Sequence, residues 1–310
     1  MGSLRWNAPA EGGLFQLSRR VPGRGEYRGL TFHEVESRTI LNRVPGTYLP
    51  FNWTINPYRG CSHACVYCFA RPSHEYLGLG PGRDFETEIV VKINAVELTR
   101  AETAPGRWAG ESIALGTNTD PYQPAEGRYK LTRGVLEVLV DRANPFSILT
   151  KSTLALRDLD LYRAAAGQSE ISVSFSIGTL DESVWRATEP GTPHPLRRID
   201  AIQKLSEAGI PTGVLVAPII PGLSDRPDQV AEVESACKQA GASWVSSIRL
   251  HLRPGVREHY MSWLRVNHPG LESLYERLYR DRAYLPGGRR SGQSERRTVA
   301  TTSQPQLPFG

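Results

Sequence analysis

Asn56-Pro57-Tyr58-Arg59-Gly60-Cys61-Ser62-His63-Ala64-Cys65-Val66-Tyr67-Cys68-Phe69-Ala70 places three cysteines within eight residues, spaced C-x3-C-x2-C, just behind an apolar run at Trp53–Asn56. A loop this short can turn three thiolates toward one point. Clustered cysteines read as metal ligands or redox groups rather than as a secreted disulfide framework. The chain's fourth cysteine, Cys237, lies far downstream in a helical pattern. It reads as a small buried hydrophobe, with a catalytic thiol as the alternative.

A cubane of four irons has four corners. Clusters that only carry electrons usually fill all four with cysteine. Three cysteines leave one iron open, so the motif reads as a [4Fe–4S] cluster with chemistry at iron. The competing reading is structural zinc with His63 as the fourth ligand. His63 lies between the first two cysteines, whereas short zinc motifs draw their second ligand pair from elsewhere in the chain.

Working outward from this loop, short apolar runs alternate with helical patterns. The expected strands are Trp53–Asn56, Ser112–Leu115, Phe146–Thr150, Ile171–Ser176, Thr212–Val216 and Trp244–Leu250. Continuous runs rich in Ile, Val, Leu and Phe suit parallel strands buried on both faces. Helices are expected near Ile93–Glu102, Leu131–Asp141, Asp158–Ala166, Leu196–Ala208 and Pro227–Ala240, with a last one from about Glu258 to Arg280. Strand–helix alternation implies βαβ units and a parallel α/β sheet. Periodicity alone does not decide between a partial barrel and an open doubly wound sheet.

The 310 residues suit one α/β barrel. Residues 1–46 are expected to form an arm, disordered at first and then packed on the core; 47–285 form the core. Residues 286–310 carry few large apolar side chains and are expected to be a disordered tail. No apolar run marks a signal peptide or a membrane span, so a cytoplasmic protein without membrane association is expected. The net charge of +5 invites a nucleic-acid partner. Against that, the arginines are spread along the chain, and a clustered stripe is the stronger footprint.

The cysteine loop, with Tyr67 before its last cysteine, resembles that of the radical S-adenosylmethionine superfamily. Further stretches are similar to its DNA repair photolyase subgroup of the spore photoproduct lyase type. They are Ala114-Leu115-Gly116-Thr117-Asn118-Thr119-Asp120-Pro121-Tyr122-Gln123-Pro124, Leu149-Thr150-Lys151, Ser174-Phe175-Ser176-Ile177, Glu189-Pro190-Gly191-Thr192-Pro193 and Gly213-Val214-Leu215-Val216-Ala217-Pro218-Ile219. The likeness covers roughly residues 47–260.

This resemblance implies a partial (β/α)6 TIM-like barrel. It implies an enzyme in which Cys61, Cys65 and Cys68 hold a [4Fe–4S] cluster, and S-adenosylmethionine is cleaved reductively to a 5′-deoxyadenosyl radical. An electron donor such as flavodoxin or ferredoxin is implied, and a nucleic-acid base as one class of substrate. Lys151 resembles the lysine that pairs with the methionine carboxylate, and Ser176 the serine that hydrogen-bonds the ribose. Asn118 and Asp120 are placed to contact cofactor or substrate; for Asp120 a turn-forming role before Pro121 is the alternative. Tyr67 is expected near the adenine or as a core aromatic. One departure stands out. The lyase carries a hydrogen-donating cysteine at its second strand end, where this chain has Leu115-Gly116. Repair of the spore thymine dimer is therefore not expected. A binding protein without turnover remains the alternative to an enzyme.

Overall fold

The computed structural model describes residues 15–44, 49–285 and 290–291. Twelve strands are assigned there. They are β1 (Phe15–Pro22), β2 (Thr31–Ser37), β3 (Leu41–Arg43), β4 (Trp53–Ile55), β5 (Tyr58–Arg59), β6 (Glu88–Lys92), β7 (Ile113–Leu115), β8 (Phe146–Thr150), β9 (Ile171–Ser176), β10 (Thr212–Ile219), β11 (Trp244–Arg249) and β12 (Arg290–Ser291). The helices are α1 (Arg83–Thr87), α2 (Ala95–Glu102), α3 (Pro124–Tyr129), α4 (Leu131–Asp141), α5 (Leu159–Ala166), α6 (Glu182–Thr188), α7 (Pro195–Glu207), α8 (Pro227–Gln239), α9 (Val256–Asn267) and α10 (Glu272–Leu278).

Six strands lie side by side in chain order, β4-β7-β8-β9-β10-β11, and every neighbouring pair is parallel. A doubly wound sheet reverses its strand order at a switch point. This one never does, which settles the question periodicity left open in favour of a barrel wall. The wall does not close among the described residues. β3 adds antiparallel to β4 at one edge, and β12 adds antiparallel to β11 at the other. The fold is a partial (β/α)6 barrel. Ile55, Leu115, Ile148, Phe175, Val214 and Val245 from the wall share one apolar cluster with Val135, Leu139, Ile202, Leu205 and Val233 from the helices. Each such side chain contributes about 1.5–3 kcal/mol on burial.

Three features depart from expectation. The first is a separate four-stranded sheet, ordered β1-β2-β6-β5. The N-terminal hairpin β1–β2 pairs through β2 with β6, which lies between barrel strands in sequence. Its β5 immediately precedes the cysteine loop, so that loop follows β5 and not the first barrel strand directly. The second is the last helix, which is two helices. Pro269 has no N–H to donate and disfavours helical backbone at the residue before it; His268 accordingly sits at φ −143°, ψ 60°. Pro218, expected just past a strand, lies inside β10, which runs three residues longer than its apolar pattern. The expected disorder at residues 1–14 and, apart from β12, in the tail from 286 falls outside the described residues. Among the described residues no helix is long and apolar enough to cross a membrane.

Candidate active site

The backbone of the cysteine loop is held by contacts from several neighbouring segments. Cys61 N–H donates to the Phe85 carbonyl at 2.8 Å. The Gly60 carbonyl accepts from Thr119 Oγ1 at 2.7 Å and from Gln123 Nε2 at 2.9 Å, while the Ser62 N–H donates to Gln123 Oε1. From the other side, the end of α6 and the segment after it dock on the loop: Val66 N–H donates to the Thr188 carbonyl and Gly191 N–H to the His63 carbonyl, both at 3.0 Å. Gly191 permits that approach, because a Cβ there would stand 2.2 Å from the Ser62 carbonyl oxygen.

Cys61 and Cys65 are buried and Cys68 is half-buried; all three are free thiols. Burial raises each thiol above its ordinary value, Cys65 to about 12. A group that binds thiolates must therefore displace protons on entering. The donor set fits a cubane with an open corner. Three soft sulfur ligands are present on one loop. Among the described residues no three His, Cys, Asp or Glu side chains are placed to hold a single metal ion. His63 instead faces Asp120, with Nδ1 3.3 Å from Oδ2.

Lys151 follows β8 and Ser176 ends β9, and the fold brings their heads together. Lys151 Nζ donates to Ser176 Oγ at 2.7 Å, and Ser176 Oγ in turn donates to the Ala217 carbonyl at 2.7 Å. The ammonium also lies 5.6 Å from the centre of the Tyr67 ring, a cation–π contact. Glu189, buried after α6, ties these groups into one network. It accepts from Lys151 Nζ at 3.0 Å, from Arg198 Nη2 at 2.5 Å and from the Tyr67 hydroxyl. Burial alone would raise this carboxyl; the Arg198 guanidinium and the Lys151 ammonium outweigh it and hold it down at about 2. Tyr67 is thus a buried aromatic with a hydroxyl engaged by Glu189.

Asp120 has protein partners on both carboxylate oxygens. Oδ1 accepts from Tyr122 N–H and Thr150 Oγ1, and Oδ2 accepts from Lys151 N–H at 2.8 Å while facing His63. Burial pushes its carboxyl up, but His63 and these hydrogen bonds more than compensate and hold it below its ordinary value. The residue makes the expected turn to Tyr122 and also joins the ends of β7 and β8 to the cysteine loop. Asn118 lies beside them, its N–H donating to Asn56 Oδ1 at 3.2 Å. Cys237 lies apart, on α8, fully buried in the barrel's apolar cluster.

Glu189 and Arg198 join this network without having been singled out by the sequence. The only signal was Glu189's place in the Glu-Pro-Gly-Thr stretch. Of its charged or hydroxylated partners, Tyr67, Lys151 and Arg198 lie 122, 38 and 9 positions away, and only Thr192 belongs to the same stretch.

The chain matches the model of the Radical SAM superfamily over residues 55–233. It is 46% identical to an uncharacterised protein of Mycobacterium tuberculosis over 272 residues, covering 87% of this chain and 80% of the relative. It is 25% identical to the Radical SAM Nalpha-GlyT isomerase of Pseudomonas phage M6, covering 74% of this chain and 49% of that one. Its fold is similar to that of spore photoproduct lyase solved with a dinucleoside spore photoproduct, with a TM-score of 0.57, 20% identity, and coverage of 81% and 72% of the two chains. The same fold has been solved with AdoMet bound. Three cysteines with one corner to spare, set at the mouth of a partial barrel, thus have their family: this chain belongs to the radical S-adenosylmethionine superfamily, enzymes that work with a [4Fe–4S] cluster and S-adenosylmethionine.

Proposed function

We propose that Cys61, Cys65 and Cys68 hold the [4Fe–4S] cluster, and that Lys151, Ser176 and Tyr67 form the bed for S-adenosylmethionine. Together, when bound, the two groups supply a 5′-deoxyadenosyl radical that abstracts hydrogen from the substrate. The observation that carries this reading is the meeting of Lys151, Ser176 and Tyr67 around Glu189, from two strand ends and the cysteine loop. Lys151 brings a cation to the methionine carboxylate, and Ser176 a hydroxyl to the ribose. Glu189 and Arg198 orient Lys151, and Asp120 fixes the two strand ends against the cysteine loop. Asn118 flanks the bed. The segment 188–191 and the loop itself form a wall that keeps water from the reacting groups.

For the substrate we favour a nucleic-acid base. Support comes from the dinucleoside photoproduct bound by the lyase of like fold and from the basic balance of the chain. Spore photoproduct repair itself is disfavoured. The second barrel strand ends in Leu115-Gly116, and Cys237 is buried elsewhere. An electron donor is required by the family; flavodoxin or ferredoxin fits, and clustered reduced thiols suit the cytoplasm.

Anaerobic purification, metal and sulfide analysis, and assay with dithionite test the reading. The expected result is about four irons per chain and formation of 5′-deoxyadenosine. Alanine at Cys61, Cys65 or Cys68 abolishes both, and alanine at Cys237 leaves iron and sulfide unchanged. Zinc in place of iron, with no cleavage of S-adenosylmethionine, would sink it. For the substrate, DNA binding that weakens steeply with salt, together with a nucleoside altered in a deletion strain, is expected.

A further inference from the structure

Arg71 lies three residues beyond Cys68, and its side chain is fully buried. A guanidinium carries five N–H donors, and burial makes any unmet donor costly. Here all are met. Nε and Nη2 donate to the Cys65 carbonyl at 3.0 and 2.9 Å, and Nη2 also reaches the Ala64 carbonyl at 3.3 Å. Nη1 donates to the Pro81 and Gly82 carbonyls, both at 3.0 Å. One carboxylate, Glu86, takes Nη2 at 2.6 Å. Two of the four carbonyls gathered by this one cation therefore belong to the cysteine loop.

A trans peptide points its C=O and N–H in opposite directions. With the Ala64 carbonyl drawn toward Arg71, the Cys65 N–H points away from it. Ala64 is in the left-handed region, at φ 55°, which a residue with a side chain seldom adopts. It is pinned there from both ends, by Arg71 on its carbonyl and by its own N–H on the Cys61 carbonyl at 3.2 Å.

We propose that Arg71 is the positioning residue of the cluster loop, fixing the Ala64 and Cys65 carbonyls so that the Cys65 thiol and N–H are aimed at the cluster. The proposal rests on reading Cys61, Cys65 and Cys68 as the cluster's ligands. Its consequence is electrochemical. Hydrogen bonds to cluster sulfur and nearby charge set a cluster's potential. Reduction adds negative charge, so an N–H dipole aimed at the cluster and a fixed cation beside the loop both favour the reduced form. Arg71 raises the potential by both routes without touching the iron.

The test uses the full chain reconstituted anaerobically with iron and sulfide, as wild type, Arg71→Lys and Arg71→Met. Iron and sulfide are counted, and midpoint potentials are taken from redox titration followed by EPR. The potential is expected to fall from wild type to Arg71→Lys, which keeps the charge but loses the fork, and further in Arg71→Met. Loaded variants with the wild-type potential would overturn the proposal, because a merely structural role changes cluster content alone. If Arg71→Met holds no cluster, iodoacetamide labelling of the apo-proteins, mapped by mass spectrometry, decides for that variant. Faster labelling of Cys65 than in wild type, with Cys237 unchanged, supports it; equal Cys65 rates overturn it. A wild-type chain that takes up no iron overturns this and the reading beneath it, whereas equal potentials overturn this alone.

Discussion

Lys151 Nζ stands 3.0 Å from Glu189 Oε1, with Lys151 largely and Glu189 almost wholly withdrawn from solvent. Glu189 has a second cation, Arg198, at 2.5 Å on its other oxygen. The carboxylate thus separates two cations that would otherwise face each other at the strand ends.

Removing its charge should be costly. Breaking a buried ion pair by deleting one partner costs about 3–5 kcal/mol, because the remaining charge stays buried. Glu189→Gln is expected to lose that much stability, measured by denaturant unfolding of the apo-protein. A loss below about 1 kcal/mol would mean that water reaches Lys151 and Arg198 freely.

The same carboxyl makes a pH prediction. Its folded value, about 2, lies below its ordinary 4.5, so the folded state binds this proton less readily than the unfolded chain. Its contribution is complete above pH 4.5 and disappears as pH falls toward 2. Melting temperature should therefore drop across that window, and Glu189→Gln should drop less steeply. Parallel curves for the two proteins would contradict the assignment.

Lys151→Met addresses the cofactor bed. A hydrogen bond to a charged group contributes about 1.5–3 kcal/mol, so affinity for S-adenosylmethionine should weaken about 10- to 100-fold. Stability should change less than in Glu189→Gln, since Arg198 still pairs the carboxylate. Equilibrium dialysis on the reconstituted protein reads the affinity. Wild-type binding by the variant would remove Lys151 from the bed.

Grafting a cysteine onto the second strand end should fail at position 116. Gly116 sits at φ 92°, and a Cβ there would stand 2.0 Å from the Leu149 carbonyl oxygen. The left-handed backbone alone costs about 1–3 kcal/mol for a residue with a side chain, and the collision with β8 adds to it. Gly116→Cys should give insoluble or strongly destabilised protein by circular dichroism melting. A stable variant would show that β8 can move aside.

The barrel was legible because its strands are short apolar runs set between amphipathic helices, a pattern that local sequence carries. The second sheet was not. β5 has two residues, and β2 buries His33 and Glu34, polar residues whose partners Glu88 and Arg19 lie on other strands. Polar burial has no local signature. The site divides in the same way. Cys61, Cys65 and Cys68 announce themselves by spacing, and Lys151 and Ser176 by the stretches that resemble the lyase type. Glu189 takes its meaning from Tyr67, Lys151 and Arg198, and Arg71 from carbonyls that the fold turns toward it.

Tyr67 lies between Cys65 and Cys68 in the chain, and its hydroxyl donates to the carboxylate that also holds Lys151. A single side chain thus belongs to both halves of the site. Equilibrium affinities linked through such a contact are coupled reciprocally. By whatever factor a loaded cysteine loop strengthens the grip on S-adenosylmethionine, bound S-adenosylmethionine must strengthen the grip on the cluster by the same factor. Under the proposed assignments, retention of iron during purification and occupancy of the strand-end bed are two equilibria that share one coupling factor.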